Sequence, residues 1–210
     1  MIYLRPEDDF PELSQATEDG LLAIGGNLTS SRLISAYQKG IFPWFEEDEQ
    51  ILWWSPDPRF VLFPEDLKVS KSMKQFLRNC DLEVTVNKDF NAVIRACSKI
   101  NRPGQEGTWI TKGMIKAYTE LHELGLATSV EVWQEDRLVA GLYGVDLNNG
   151  VFCGESMFST MSNGSKAGFI SFIQNTNYKL IDCQVYTNHL ESLGARDITR
   201  KEFLKFLIKD

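Results

Sequence analysis

Three strand-forming runs stand in direct succession: ATSVEVWQ, RLVAGLYGVDL and GVFCGESMFS. Each is rich in the β-branched and aromatic residues that suit a half-buried pleated surface. Glu135-Asp136 joins the first two and Asn148-Asn149-Gly150 the next two. Asn-Gly is the strongest short hairpin signal. Two such short connections make consecutive strands antiparallel neighbours, so an antiparallel meander is the first thing this chain must accommodate. Helical spacing surrounds it. Met73, Phe76 and Leu77 share one face of a helix over 70–79, and Phe90, Val93, Ile94 and Cys97 share one face of DFNAVIRACSKI. Thr111 caps a helix that runs through Leu124 and ends at Gly125. DLEVTVN is a short strand between the first two helices. After the meander come a helix from Asn163 to about Asn175, a strand KLIDCQVY, and a last helix from Arg200 to Ile208. The predicted fold is α+β, a mixed, largely antiparallel sheet with flanking helices.

The first part of the chain reads differently. Residues 1–62 are punctuated by turns and crowded with aromatics, with a Gly25-Gly26-Asn27 turn, a short helix ending near Gly40, and FVLF as a short strand after Pro56 and Pro58. This segment is expected to form a small N-terminal domain, with 63–210 as the larger domain.

The 210 residues are 43% hydrophobic, enough for one substantial core. The net charge of -7 speaks against broad, non-specific nucleic-acid binding, which rests on clustered Lys and Arg, but leaves room for a local basic face. MIYLRPEDDFPEL has no cationic segment followed by an apolar one, so no signal peptide is expected. No apolar run approaches the ~20 residues of a membrane span. Cys80, Cys97, Cys153 and Cys183 are widely spaced and are expected as small core residues in a reducing cytoplasm. With two histidines, His122 and His189, no metal site is predicted.

KLIDCQVY carries two residues that a buried strand does not call for. Alternation puts Leu180, Asp182 and Gln184 on one side of it, and Cys153, Glu155 and Met157 on one side of GVFCGESMFS. If both sides face one cleft, Asp182, Gln184 and Glu155 meet among apolar neighbours. Burying carboxylates costs several kcal/mol unless partners compensate. One reading is a structural hydrogen-bond network. The other is a site for an amine or cation, because no Arg or Lys is obvious beside the two carboxylates. Weaker signals lead nowhere in particular. Ser156 sits in a stretch that lacks the last glycine of a nucleophile elbow. His122 reads as a helix-surface residue and His189 as a loop or capping residue. NRPGQEG fits no phosphate-loop pattern. Lys71, Lys74 and Arg78 form a solvated face that could also follow a phosphate backbone. Phe42, Trp44, Phe45, Trp53 and Trp54 read as domain core, with base stacking as the alternative.

GLLAIGGNL, FPWF, ILWWSPDPR, GTWIT, a hairpin ending LYGV, FCGESMFS, an SK-containing helix and LIDCQV occur in that order. Together they resemble the leucyl/phenylalanyl-tRNA–protein transferases from about Gly20 to past Leu193. The departures are small: Ala140 stands for a glycine, and Asn163-Gly164-Ser165-Lys166 differs from the usual pattern by one small residue. The resemblance implies a monomeric, cofactor-free cytoplasmic enzyme with a GNAT-like catalytic domain. Its expected partners are aminoacyl-tRNA carrying Leu, Phe or Met and proteins beginning with Arg or Lys, which the transferred residue marks for N-degron degradation. Asp182 and Gln184 match the family's proposed catalytic pair, and Glu155 is assigned to the substrate amine or to the acceptor's cationic side chain. Leu142, Met157, Phe172 and Ile181 match the apolar specificity pocket. Trp53 or Trp54 and Trp109 match aromatics that meet the tRNA 3′ adenosine. An acyl-CoA enzyme and a non-catalytic binder of tRNA ends or basic N-terminal peptides are the competing readings. The first lacks a pyrophosphate-cradling loop in the sequence.

Overall fold

The computed structural model describes residues 1–47, 49–100 and 109–208. NRPGQEG lies outside them. The chain opens with β1 (Tyr3–Leu4), β2 (Leu21–Gly25), α1 (Ser30–Gln38), β3 (Phe42–Pro43) and β4 (Leu52–Trp54). There follow β5 (Arg59–Leu62), α2 (Lys71–Asn79), β6 (Glu83–Val86), α3 (Phe90–Lys99) and α4 (Lys112–Glu123). The meander is β7 (Ala127–Gln134), β8 (Arg137–Asp146) and β9 (Val151–Ser159). Then come α5 (Gly164–Gln174), β10 (Leu180–Gln184), α6 (Asn188–Glu191), β11 (Arg196–Ile198) and α7 (Arg200–Leu207).

Among the described residues these strands form two sheets. The smaller has the order β1-β2-β4-β3, and the larger the order β11-β5-β10-β9-β8-β7-β6. The large sheet is antiparallel throughout except where β10 runs parallel to β9. It is the mixed, largely antiparallel α+β fold that the sequence predicts. Thr111 caps its helix as predicted, and Ser70 and Asp89 do the same for α2 and α3, each accepting a hydrogen bond from a backbone N–H of the first turn. Arg59–Leu62, which the sequence groups with the N-terminal part, is instead a fully buried strand near the edge of the large sheet, beside β10.

Helices cover both faces of that sheet. Val93, Ile94, Met114, Tyr118 and Phe203 pack on one face, in a core continuous with Tyr37, Phe42 and Trp53 of the N-terminal segment. Met73, Phe169, Ile170 and Phe172 pack on the other. One apolar interior therefore ties the small sheet to the large one. A buried carboxylate pins the far side. Glu131 accepts from the Thr85 hydroxyl at 2.7 Å and from the Lys88 and Asp89 backbone N–H groups at 3.2 and 3.3 Å, which fixes the entry to α3.

The parallel pair is where regularity stops. β10 pairs with β9 only through Leu180–Val151, Ile181–Phe152 and Asp182–Cys153. Beyond that point both strands bulge. Opposite β8, the register jumps from Tyr143–Ser156 to Gly144–Gly154, which leaves Glu155 as the extra residue. Opposite β5 it jumps between Asp182 and Gln184, and Gln184 adopts φ 64°. A non-glycine residue in that region is uncommon. The bulge also corrects the alternation argument. Cys153 and Phe158 face the core that holds Tyr37, while Phe152 and Met157 face the other, so Cys153 and Met157 do not share a side.

Candidate active site

The two bulges open the sheet between the middle of β9 and the C-terminal end of β10. A cavity of about 670 Å³ lies there. Leu142, Phe152, Met157, Phe169, Ile181 and Leu190 form its apolar wall, and Asp182, Glu155 and Gln184 lie at its head. Phe42, Pro43, Trp44 and Trp109 border it on the side of the N-terminal segment. Such a mostly apolar concavity with a few convergent polar groups is the usual form of a small-molecule site.

Asp182, Gln184 and Glu155 are thus brought together, but not in the arrangement expected. Asp182 is fully buried and paired in two-point fashion with Arg59: Nε donates to Oδ1 at 2.8 Å and Nη2 to Oδ2 at 2.7 Å. The expectation that no basic residue neighbours the carboxylates is therefore corrected. The guanidinium also donates to the Gly40 carbonyl oxygen at 3.2 Å and lies between the Phe42 and Phe203 rings, 4.7 and 4.6 Å from their centroids. Asp182 meets Gln184 through the backbone: the Gln184 N–H donates to Oδ1 at 2.9 Å. The Gln184 side chain turns the other way, and its Nε2 donates to Glu155 Oε1 at 2.6 Å. Asp182 does not polarise the Gln184 amide directly. It holds the left-handed backbone from which that amide projects.

Glu155 also accepts from the Tyr118 hydroxyl at 2.9 Å. Burial pushes its carboxyl up to about 7; the hydroxyls of Tyr37 and Tyr118 pull the other way, the charge of Asp182 adds to the rise, and the Gln184 amide offsets part of it. A carboxyl poised near neutrality in a cleft marks a candidate for proton transfer. Burial also pushes the Cys153 thiol well up, with Asp182 adding to it, so this cysteine is a core residue as expected. Among the described residues no group of three or more His, Cys, Asp or Glu side chains could hold a metal ion.

The remaining predicted residues divide. Leu142, Met157 and Ile181 line the cavity, while Phe172 stands behind the wall, its ring 4.8 Å from that of Phe152. Trp53 is corrected outright: it is completely buried, packs edge-on against Phe10 and donates its indole N–H to the Gly25 carbonyl oxygen at 2.8 Å. No base could stack on it. Trp54 and Trp109, with Trp44, Phe45, Leu52, Glu46 and Glu49, line an adjoining hollow of about 240 Å³, and Trp44 and Trp109 border both cavities. Lys71, Lys74 and Arg78 are exposed on α2 and do not line the cavity. His122 stacks on Phe90 and pairs with the Ala127 carbonyl oxygen, whereas His189 lines the cavity. Arg59, Tyr37, Tyr118, Phe152 and Phe169 escaped the sequence reading. Arg59 left a signal, a lone charge leading an otherwise apolar four-residue strand. The two tyrosines left none beyond lying on the apolar faces of their helices.

The comparisons with known proteins agree with this layout. A family model described as "Leucyl/phenylalanyl-tRNA protein transferase" matches residues 61–208, and one for the N-terminal domain of the same family matches 26–57. A leucyl/phenylalanyl-tRNA–protein transferase of Christiangramia forsetii is 55% identical, with 99% of this chain and 100% of the relative covered. One from Flavobacterium johnsoniae is 57% identical, with 99% of each covered, and one from Escherichia coli is 52% identical over 94% of this chain and 84% of its own. A mixed α+β fold, an apolar cavity headed by polar groups and these matches define an enzyme of the transferase class. The chain belongs to the leucyl/phenylalanyl-tRNA–protein transferase family.

Proposed function

We propose that the chain moves leucine or phenylalanine, and also methionine, from aminoacyl-tRNA to the α-amino group of a protein that begins with arginine or lysine, and so marks that protein for N-degron degradation. The observation that carries this reading is the single cavity in which an apolar wall of Leu142, Phe152, Met157 and Ile181 runs up to the Glu155–Gln184 pair. The aminoacyl side chain occupies the apolar part, and its ester carbonyl stands at the head. An unbranched Cβ fits such a wall and a β-branched one does not. A methylene of difference supplies only ~1–3 kcal/mol, so rejection also rests on shape.

The chemistry asked of the protein is modest because the ester is already activated. The acceptor amine, with an ordinary pKa of about 7.7–8.0, must lose a proton and meet the carbonyl carbon. Its nitrogen attacks, the C–N bond forms, and the bond from carbonyl carbon to the 3′ ribose oxygen breaks. One proton leaves the amine and one joins the ribose oxygen. Gln184 donates its Nε2 to Glu155, which leaves its carbonyl oxygen to accept from the amine and aim it. Glu155, ionisable near neutrality, takes the proton. Asp182 and Arg59 hold the frame. The 3′ adenosine stacks on the shelf of Trp44, Trp54 and Trp109, worth ~1–3 kcal/mol per base. The exposed face of Lys71, Lys74 and Arg78 follows the tRNA backbone.

The test is transfer of labelled leucine from leucyl-tRNA to a peptide beginning with arginine, beside one beginning with alanine. Label on the arginine peptide alone, reduced strongly in Gln184→Ala, is the expected result. Absence of transfer from every charged tRNA, with the tRNA end still bound, would overturn the proposal in favour of a non-catalytic binder.

A further inference from the structure

Two donors reach the Glu155 carboxylate directly, Tyr118 and Gln184, and a third hydroxyl, that of Tyr37, stands behind Tyr118. Tyr118 comes from α4, Tyr37 from α1 in the N-terminal segment, and Gln184 from the end of β10. Both tyrosines are buried, and their hydroxyls hydrogen-bond to each other. The direction of that bond is fixed by counting hydrogens. A carboxylate only accepts, so Tyr118 spends its one hydrogen on Glu155 Oε2 and must accept from Tyr37. The result is a directed chain from Tyr37 through Tyr118 to Glu155, in which each bond polarises the next. Burial pushes both hydroxyls well above the ordinary tyrosine range, with the Glu155 charge adding to it, so they stay protonated at any working pH. The other groups facing this cluster are Asp182 on β10, Arg59 on β5, and Cys153 on β9. Tyr143 on β8 packs edge-on against Tyr118 and lines the cavity.

We propose that Tyr37 and Tyr118 are positioning residues for the transfer reaction: their hydroxyl chain fixes the Glu155 carboxylate at the cavity head and stabilises its ionised form, so that Glu155 takes the proton from the attacking amine. A carboxylate has about four acceptor positions, and the Tyr118 and Gln184 donors leave room for the amine. Without the chain, burial beside Asp182 would hold Glu155 protonated when the amine arrives. The N-terminal segment then contributes to chemistry as well as to the cavity rim, since Tyr37 belongs to it. This inference rests on the proposed function above.

The experiment reads the ionisation of Glu155 directly. The protein is prepared with glutamate labelled by carbon-13 at the side-chain carboxyl, and the Glu155 resonance is identified by its loss in Glu155→Gln. Its titration midpoint is compared in wild type, Tyr118→Phe and Tyr37→Phe, each checked for folding by circular dichroism. The expected wild-type midpoint is about 7. Tyr118→Phe moves it upward by about one pH unit or more, the effect of one hydrogen bond to a charged group, and Tyr37→Phe moves it upward by less. In the transfer assay the acidic limb of the rate profile moves by the same amount, and the rate recovers at high pH. A Glu155 midpoint unmoved in both folded variants, or a rate loss equal at every pH, overturns the inference. The titration needs no turnover. A wild type that transfers nothing therefore sinks the proposed function alone, while a shifted midpoint still shows the tyrosine chain setting Glu155.

Discussion

Arg59 and Asp182 close a two-point ion pair in the interior, with side-chain exposures of 1% and 0%. The pair joins β5 to β10 and ties both to Gly40 and to the Phe42 and Phe203 rings. Removing one partner strands a buried charge. Arg59→Leu is expected to lower folding stability by ~3–5 kcal/mol. Urea unfolding at neutral pH measures this, and a loss below ~1 kcal/mol would show that Asp182 finds other compensation.

Glu155 makes stability depend on pH in an unusual direction. Its carboxyl rises from an ordinary 4.5 to about 7 in the fold because burial disfavours the charge. Between those values the folded chain holds the extra proton and the unfolded chain does not, so stability falls as pH rises through the window. The deficit is complete above about 7 and amounts to something on the order of 3 kcal/mol. In Glu155→Gln the loss of stability between pH 4.5 and 7 should be smaller by that amount. Parallel unfolding curves for the two proteins at pH 5 and pH 8 decide it, and equal slopes would mean that Glu155 does not titrate there.

Trp53, as an alternative to Trp54, and Trp109 were both adenosine candidates in the sequence, and the fold separates them. Trp53→Ala empties the core beneath the small sheet and is expected to cost ~3–5 kcal/mol of stability. Trp109→Ala removes a cavity-lining ring and should instead weaken binding of an aminoacyl adenosine by ~1–3 kcal/mol, with a smaller change in stability. Calorimetric binding and thermal unfolding on both variants distinguish them. Loss of binding in folded Trp53→Ala with none in Trp109→Ala would reverse the assignment.

Leu142 faces Met157 across β8 and β9 on the cavity wall. Leu142→Phe fills part of the space that a phenylalanyl side chain needs. Transfer of phenylalanine should fall relative to leucine by roughly 10- to 200-fold, the range that even one methylene of misfit produces. Competition between the two charged tRNAs in one reaction gives the ratio. An unchanged ratio would place the aminoacyl side chain elsewhere.

Lys71, Lys74 and Arg78 are predicted to contribute salt-sensitive affinity for tRNA and no chemistry. Neutralising each should reduce the slope of log affinity against log salt by about 0.7–0.9. The rate from a minimal aminoacyl adenosine should stay the same. A salt slope equal to wild type in the triple variant would leave this face as ordinary solvated surface.

Secondary structure was legible because it is written locally. The 149–150 Asn-Gly turn, the period-3.6 apolar faces and the Thr111 cap each act within a few residues, and all are found where the sequence places them. The motif order sufficed to identify the family. The sequence also singled out Asp182, Gln184 and Glu155, because polar residues in apolar strands stand out against their neighbours. What it could not supply was who meets whom. Arg59 lies 123 positions from Asp182, and the pairing exists only because β5 inserts between β10 and β11. Strict alternation put Cys153 and Met157 on one face. The extra residue at Glu155 undoes that, and a bulge leaves no mark in a period-2 pattern. Trp53 and Trp54 are adjacent and chemically identical, yet one is sealed against Phe10 and the other lines a hollow, because neighbouring side chains on a strand point to opposite faces. Sequence therefore determined the elements, the family and the polar residues of the site. Tertiary structure alone decided their partners and protonation, since burial, strand insertion and bulges are properties of distant segments brought together.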